Sequence, residues 1–422
     1  MHNLMTSRSF HYNNIFNYTH NLRMIDSMTN VVLPSQIVKA ERLEHIEPFY
    51  VVRVITRAME LEASGREIIN LAIGEPDFET PRLIVDAGIH ALNQRSMGYS
   101  PSLGSDSLRK AISDWYSQEY QVDVPSRRIA VTSGASGALL LTMGTLVSVG
   151  DEILMPDPSY PCNRHFVTAM GGSSKLIPVG PENDFQLTAE LVDKEWGEHT
   201  KGVMIASPSN PTGTLITPST LSEIQEVVRG KNGVLIVDEI YQGLVYDHIS
   251  NTALEVTNDV FVINSFSKYF AMTGWRLGWA VLPEEYVDDF EKLAQNLYIS
   301  NSDVAQEAAL AAFEEGTLVE AEANRKKYQI QRDFLLAELK RLGFVVPVDP
   351  SGAFYIYADC TKFSSDSLAF SQDLLETAGV AVAPGLDFGV NRANEYLRFS
   401  YPKPVPVLRE GIRRLESFLR DY

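Results

Sequence analysis

Cysteine is scarce in this chain: only Cys162 and Cys360 occur among 422 residues. Two are too few for a disulfide framework or a cysteine-built zinc site, and they fit a reducing compartment, so a cytoplasmic location is expected. Positive charge is also short, with 36 Lys and Arg against 54 Asp and Glu, a net of −18. A surface that acidic repels nucleic acid and anionic headgroups, which excludes generic polyanion binding. No apolar run approaches the roughly 18 residues that a membrane span needs, so no membrane association is expected. The first 24 residues contain no Asp or Glu and only Arg8 and Arg23 as cations. They lack the apolar middle of a secretory signal, and two arginines make a weak transit peptide. Residues 1–28 are expected to be a disordered extension, or to precede a true start at Met24 or Met28.

What is present is the material of a large globular core: 45% of residues are hydrophobic and 21% charged. The length suggests two or three domains, or one large two-part enzyme fold. From Pro34 to Ala63 the apolar spacing is helical. Thr80-Pro81 reads as an N-cap with proline at the first helical position, opening a helix to about Asn93. Another helix from Ser105 places Leu108, Ile112, Trp115 and Tyr116 on one face. Short apolar runs then alternate with helical stretches: Ile129–Ser133, Glu152–Met155, Lys175–Val179, Gly202–Ala206, Val234–Val237, Val260–Asn264 and Gly278–Val281. Unbroken Val/Ile/Leu runs suit strands covered on both faces, so the expected class is α/β, with a mostly parallel sheet flanked by helices. Residues 303–342 read as two charged helices broken near Gly316. Strands at Phe344–Val346, Phe354–Ala358 and Glu395–Phe399 follow, and Leu408, Ile412, Leu415 and Leu419 mark a last helix. These later elements suggest a smaller α+β domain.

The most informative block is Asn264-Ser265-Phe266-Ser267-Lys268, followed by Thr273-Gly274-Trp275-Arg276-Leu277-Gly278. A lysine just past a buried strand is partly desolvated, which lowers its pKa and permits Schiff-base chemistry. Four further polar or glycine-rich motifs also follow strand-like runs: Thr132-Ser133-Gly134-Ala135-Ser136-Gly137, Asp157-Pro158-Ser159-Tyr160-Pro161, Ser207-Pro208-Ser209-Asn210-Pro211-Thr212-Gly213 and Asp238-Glu239-Ile240-Tyr241. In a parallel sheet all these carboxyl ends share one edge, where open α/β folds bind ligands.

From about Asn70 to Tyr401 these blocks, in this order, closely resemble the class I aminotransferases, which use pyridoxal 5′-phosphate and have the fold-type I architecture. The resemblance implies that Lys268 forms an aldimine with the cofactor and later shuttles a proton. Asp238 would hold the pyridine nitrogen protonated. Tyr241 and Asn210 would bond the phenolic oxygen, and Tyr160 would stack on the ring. Gly134, Ala135 and Ser136 open a helix whose free N–H groups, with Ser265 and Arg276, would hold the phosphate. Ser267 stands where the family often has another small residue. Tyr99 matches a tyrosine that reaches the phosphate from the neighbouring subunit, implying a homodimer with shared active sites. Arg398 matches the arginine that binds the substrate α-carboxylate, and Gly74 a loop glycine beside the same group.

The implied activity is transfer of the amino group of an L-amino acid to a 2-oxo acid by a ping-pong mechanism. A lyase or synthase on the same scaffold would look nearly the same in sequence. A non-enzymatic, DNA-binding regulator built on this fold fits poorly, because the leader is too short for a helix-turn-helix and the chain is acidic. The expected map is a segment 29–75 that joins a small domain, a large cofactor-binding α/β domain at 76–304, and a small α+β domain at 305–422. Neither the donor nor the acceptor is legible; Arg164, four residues after Tyr160, is a candidate second cation for a dicarboxylic substrate.

Overall fold

A single run of apolar residues can serve two cores when the strand it forms is buried on both faces, and the central sheet of this protein is built that way. The computed structural model describes residues 39–422. In chain order its helices and strands begin with α1 (Tyr50–Ala63), β1 (Ile69–Asn70), α2 (Arg82–Gln94), α3 (Asp106–Tyr120), β2 (Ile129–Thr132), α4 (Gly134–Leu146), β3 (Glu152–Asp157), α5 (Pro161–Ala169) and β4 (Ser173–Pro178). They continue with α6 (Ala189–Glu195), β5 (Thr200–Ala206), α7 (Pro218–Gly230), β6 (Val234–Asp238), β7 (Phe261–Ser265), β8 (Gly278–Val281), α8 (Val287–Leu297), α9 (Asp303–Leu310) and α10 (Glu315–Leu342). The last are β9 (Tyr355–Asp359), α11 (Ser367–Asp373), β10 (Val380–Ala381), β11 (Ala383–Pro384), β12 (Tyr396–Ser400) and α12 (Val405–Asp421).

All seven apolar runs anticipated as strands enter one sheet, in the order β2-β8-β7-β6-β5-β3-β4. Alternate residues feed opposite faces. Val203 and Ile205, Leu235 and Val237, and Val262 pack into one cluster; Met204, Ile236, Phe261 and Ile263 pack into another. The period of two thus sends neighbours in sequence to separate cores. Five of the strands pair in parallel, while β8 runs antiparallel to both β7 and β2. That reversal matters for the site. Because β8 enters where its neighbours leave, Gly278 pairs with both Ser265 and Thr132. The residues just before β8 therefore share an edge with the carboxyl ends of β2 and β7.

A three-stranded antiparallel sheet, β11-β12-β9, packs with α10 and α12 around Phe354, Ile356, Leu397, Leu339 and Ile412. β1 pairs in parallel with β10, Ile69 opposite Val380. Residues Glu44–Tyr422 form one compact unit. No helix among the described residues is long and apolar enough to cross a membrane.

Several local expectations shift. The helix anticipated from Pro34 begins at Tyr50; its first residues and the 1–28 extension lie outside the described residues, and Pro48 stands just before the helix start. Pro81 is the N-cap of α2 rather than its first helical residue. The break near Gly316 falls earlier, in a 3₁₀ turn at Ala311–Phe313, and Gly316 sits in the first turn of α10. The Phe344–Val346 strand reduces to a single bridge between Val345 and Asp359, since Pro347 follows and withholds an N–H.

Candidate active site

The polar motifs at the strand ends meet in one cavity of about 260 Å³. Lys268, three residues beyond β7, lies half-buried with its Nζ donating to the Gly74 carbonyl at 2.7 Å. The Tyr241 and Phe354 rings stand 5.8 and 5.7 Å from the amine. Burial is the main cause that brings its pKa down to about 8; Glu75 opposes the shift, while Arg276 and Arg398 add to it. A neutral amine is thus accessible near physiological pH. Gly74 approaches so closely that a Cβ there would collide with the Tyr355 hydroxyl.

Asp238 ends β6, buried, with Oδ1 accepting from the Ile240 N–H at 3.0 Å. Burial pushes its carboxyl up to about 6, against the Ile240 N–H and the charge of Lys268. Buried Tyr241 shares a 2.6 Å hydrogen bond with the Tyr355 hydroxyl, and Tyr160 lines the same cavity. Arg398, on β12, donates from Nη1 to Asn210 Oδ1 at 2.9 Å and from Nη2 to the Ala72 carbonyl at 2.6 Å. Its guanidinium lies between the Tyr355 and Phe388 rings at 4.3 and 4.7 Å, and its buried Nε has no partner.

At the other end, α4 starts directly after β2, with its first N–H groups open. Gly134 has φ +70, and a Cβ there would come within 2.6 Å of Arg276 Nη2. Glycine is what lets the guanidinium lie against the helix start. Arg276 Nη1 donates to the Thr273 carbonyl at 3.1 Å. Ser265 Oγ lies 2.9 Å from Ser267 Oγ and accepts the Ser267 N–H at 3.0 Å. Ala135, Ser136 and Ser267 line the cavity here. Helix N–H groups, hydroxyls and a fixed cation suit a phosphate dianion. A buried acid suits a ring nitrogen, and a partly neutralised lysine an aldehyde. The residues fit pyridoxal phosphate.

Gly134 and Ser265 stand behind the lining, against Arg276 and Ser267, while Tyr99, expected to serve a neighbouring subunit, and Arg164 lie outside it. Tyr99 is 85% exposed, outside this cavity, in a surface cleft with Met97 and Val304. Arg164 does not line the cavity; its Nη2 donates to the Asp387 carbonyl at 3.3 Å. The sequence reading missed Tyr355, Asp387 and Phe388, and the contribution of α1 through Val51 and Ile55. Pro384-Gly385-Leu386-Asp387-Phe388-Gly389 signals only a turn, and nothing in its pattern tells which cavity the loop reaches.

A half-buried lysine, a buried acid and an open helix start at one sheet edge suit the vitamin B6 transferases as a class. Residues 66–415 match the family Aminotransferase class I and II, and the chain belongs to that family. It is similar to the valine–pyruvate aminotransferase of Mycobacterium tuberculosis, 39% identical over 89% of this chain and 97% of that one. It is also similar to a probable aspartate/prephenate aminotransferase of Aquifex aeolicus, 34% identical over 90% of this chain and 98% of that one. Among solved structures, an aminotransferase from Mycobacterium tuberculosis superposes with a TM-score of 0.88 at 38% identity, covering 92% of this chain and all of that one. The Thermus thermophilus aspartate aminotransferase with maleate gives 0.86 at 31% identity, covering 90% of this chain and all of that one. The protein is a pyridoxal-phosphate-dependent aminotransferase acting on amino acids and 2-oxo acids.

Without cofactor, the buried acid carries a stability cost. The Asp238 carboxyl titrates near 6 in the fold against an ordinary 3.8, so folding favours its neutral form and stability falls as pH rises from about 4 to 6. Asn keeps the acceptor for Ile240 and removes the charge. Cofactor-free Asp238→Asn should therefore gain about 3 kcal/mol at pH 8, converging with the parent below pH 4. Urea titrations at the two pH values measure this, and an equal gain at both would refute the assignment of the shift to this carboxyl.

Proposed function

We propose that Lys268, Asp238 and Arg398 divide the transfer between them, and that the working unit is a homodimer. What carries this reading is the convergence of the three residues on one cavity, although they lie on β6, past β7 and on β12. Bound pyridoxal phosphate supplies an electron-accepting ring that stabilises charge at the substrate Cα. Lys268 would anchor the cofactor, and its freed amine would take the proton from the donor Cα and deliver it to the cofactor carbon that receives the amino group. Asp238 would pair with a positive ring nitrogen, which would offset part of the cost of its own burial. Tyr241 and Asn210 would hold the cofactor's oxygen, Tyr160 would pack on its ring, and Gly134, Ala135, Ser136, Ser265 and Arg276 would hold its phosphate. Arg398 and the Gly74 backbone hold the α-carboxylate, so that the Cα–H faces the lysine. A 2-oxo acid entering the same site takes the amine in the second half.

The relatives' names span valine, aspartate and prephenate, so they leave the donor open. The domain map also belongs to this reading: β1 pairing with β10 supports joining the segment 29–75 to a small domain at 305–422, apart from a large one at 76–304. For the dimer the support is exposed apolar surface at Tyr99, itself 85% exposed, in a cleft shared with Met97 and Val304. Apolar patches of this kind mark association sites. Light scattering should give about twice the 47.0 kDa chain mass. Tyr99→Phe should weaken cofactor retention about tenfold, the loss of one hydrogen bond to a charged group. A fully active monomer, or unchanged retention in the variant, would sink the shared site.

A further inference from the structure

An amino donor held by its α-carboxylate at Arg398 must place its side chain somewhere beside that arginine. Several of the residues lining the cavity with Arg398 are apolar. Phe388 lies against the guanidinium at 4.7 Å, and Ile73 sits beside Gly74 in the cavity lining. The start of α1 adds Val51 and Ile55 to the same lining, with Phe49 just before the helix, all half-buried. Val51 packs on both the core cluster that contains Phe388 and the one that contains Ala72, whose carbonyl binds Arg398.

The helix is fixed in that place. Asp387, buried, accepts the backbone N–H groups of Tyr50 and Val51, both at 2.6 Å. These are the first two residues of α1, whose own preceding residue, Phe49, offers no capping side chain. A carboxylate from a distant loop thus caps the helix start, where it also meets the positive end of the helix dipole.

Charge points the same way. Among the described residues, the cations lining the cavity are Lys268, Arg276 and Arg398, and each has a task in the reading above. Among the described residues of this chain no further cation lines the cavity to meet a second substrate carboxylate, and Arg164 is turned to the Asp387 carbonyl instead. Asp387 itself adds a negative group to the lining.

We propose that the wall of Phe49, Val51, Ile55, Ile73 and Phe388 selects amino donors with uncharged, apolar side chains over dicarboxylic ones. This rests on Arg398 receiving the α-carboxylate. In the holoenzyme, kcat/KM should rise about fourfold per methylene from alanine through 2-aminobutyrate to norvaline, the factor given by burying one methylene. Aspartate should fall at least 100-fold below norvaline. Isocaproate should compete at least tenfold more tightly than succinate, a binding readout independent of turnover. Val51→Lys should reverse the preference, raising aspartate and lowering norvaline at least tenfold each.

Aspartate or glutamate matching norvaline, or succinate binding as tightly as isocaproate, would overturn the proposal while leaving the Arg398 reading intact. n-Butylamine, which has the norvaline chain without its carboxylate, tests that reading separately. If it reacts as well as norvaline, the Arg398 assignment fails and takes the proposal with it.

Discussion

Lys268→Ala should still bind pyridoxal phosphate and yet lose about 10⁴-fold in turnover, the upper range for a positioned proton carrier. The contacts assigned to the phosphate and ring lie on other elements: the start of α4, Arg276 before β8, Asp238 at the end of β6 and Tyr160 before α5. None of them depends on the lysine for its position. Lys268 donates a hydrogen bond to the Gly74 carbonyl, which already lies beside the open cavity and is left free to meet water. The fold should therefore tolerate the truncation. What goes is an amine with a pKa brought down to about 8 by burial, available in both protonation states at working pH. No other amine lines the cavity among the described residues. Intact-mass measurement after borohydride reduction separates the two functions. The parent should gain the mass of the cofactor and the variant should not, although both retain it on gel filtration. Turnover within tenfold of the parent, or covalent capture in the variant, would remove Lys268 from its assigned place.

Much of this site could be read from the chain because its residues follow buried strands. A run such as Val234–Val237 announces a strand covered on both faces, and in a mostly parallel sheet the next residues, Asp238 to Tyr241, must emerge at the ligand edge. The same logic located Gly134 to Ser136, Asn210 and Lys268. Arg276 is different. It reaches the edge only because β8 runs antiparallel, and short apolar runs carry no mark of strand direction. Its place came from resemblance rather than from pattern.

The residues missed share another property, namely that their partners are far away in sequence. Asp387 meets Tyr50 across 337 positions, and Tyr355 meets Tyr241 across 114. Neither local propensity nor periodicity encodes such a meeting. The same holds for α1, whose apolar face reads as ordinary core while part of it lines the cavity. Phe344–Val346 failed for the opposite reason: its local apolar signal was real, but Pro347 and a single available bridge left it without a ladder.

Arg398→Lys, conservative in charge, should lower kcat/KM for amino acid donors by about 100-fold, with most of the change in KM. The guanidinium is planar and its donors diverge in fixed directions: Nη1 to Asn210, Nη2 to Ala72, with Nε buried and still unpaired. Two parallel donors match two carboxylate oxygens, whereas an ammonium offers a point charge on a flexible stem. The flat group is also held between the Tyr355 and Phe388 rings, a slot that a lysine amine would occupy loosely. Losing one charge-assisted hydrogen bond and the stacked orientation amounts to about 3 kcal/mol, hence the factor of 100. Because the α-carboxylate is bound alike before and during proton transfer, the loss should fall mainly on binding, leaving kcat within about tenfold. n-Butylamine, having no carboxylate, supplies the internal control: its slow reaction should be the same in the parent and the variant. A variant that loses norvaline and butylamine activity equally would show that Arg398 supports the fold of the site rather than gripping the substrate.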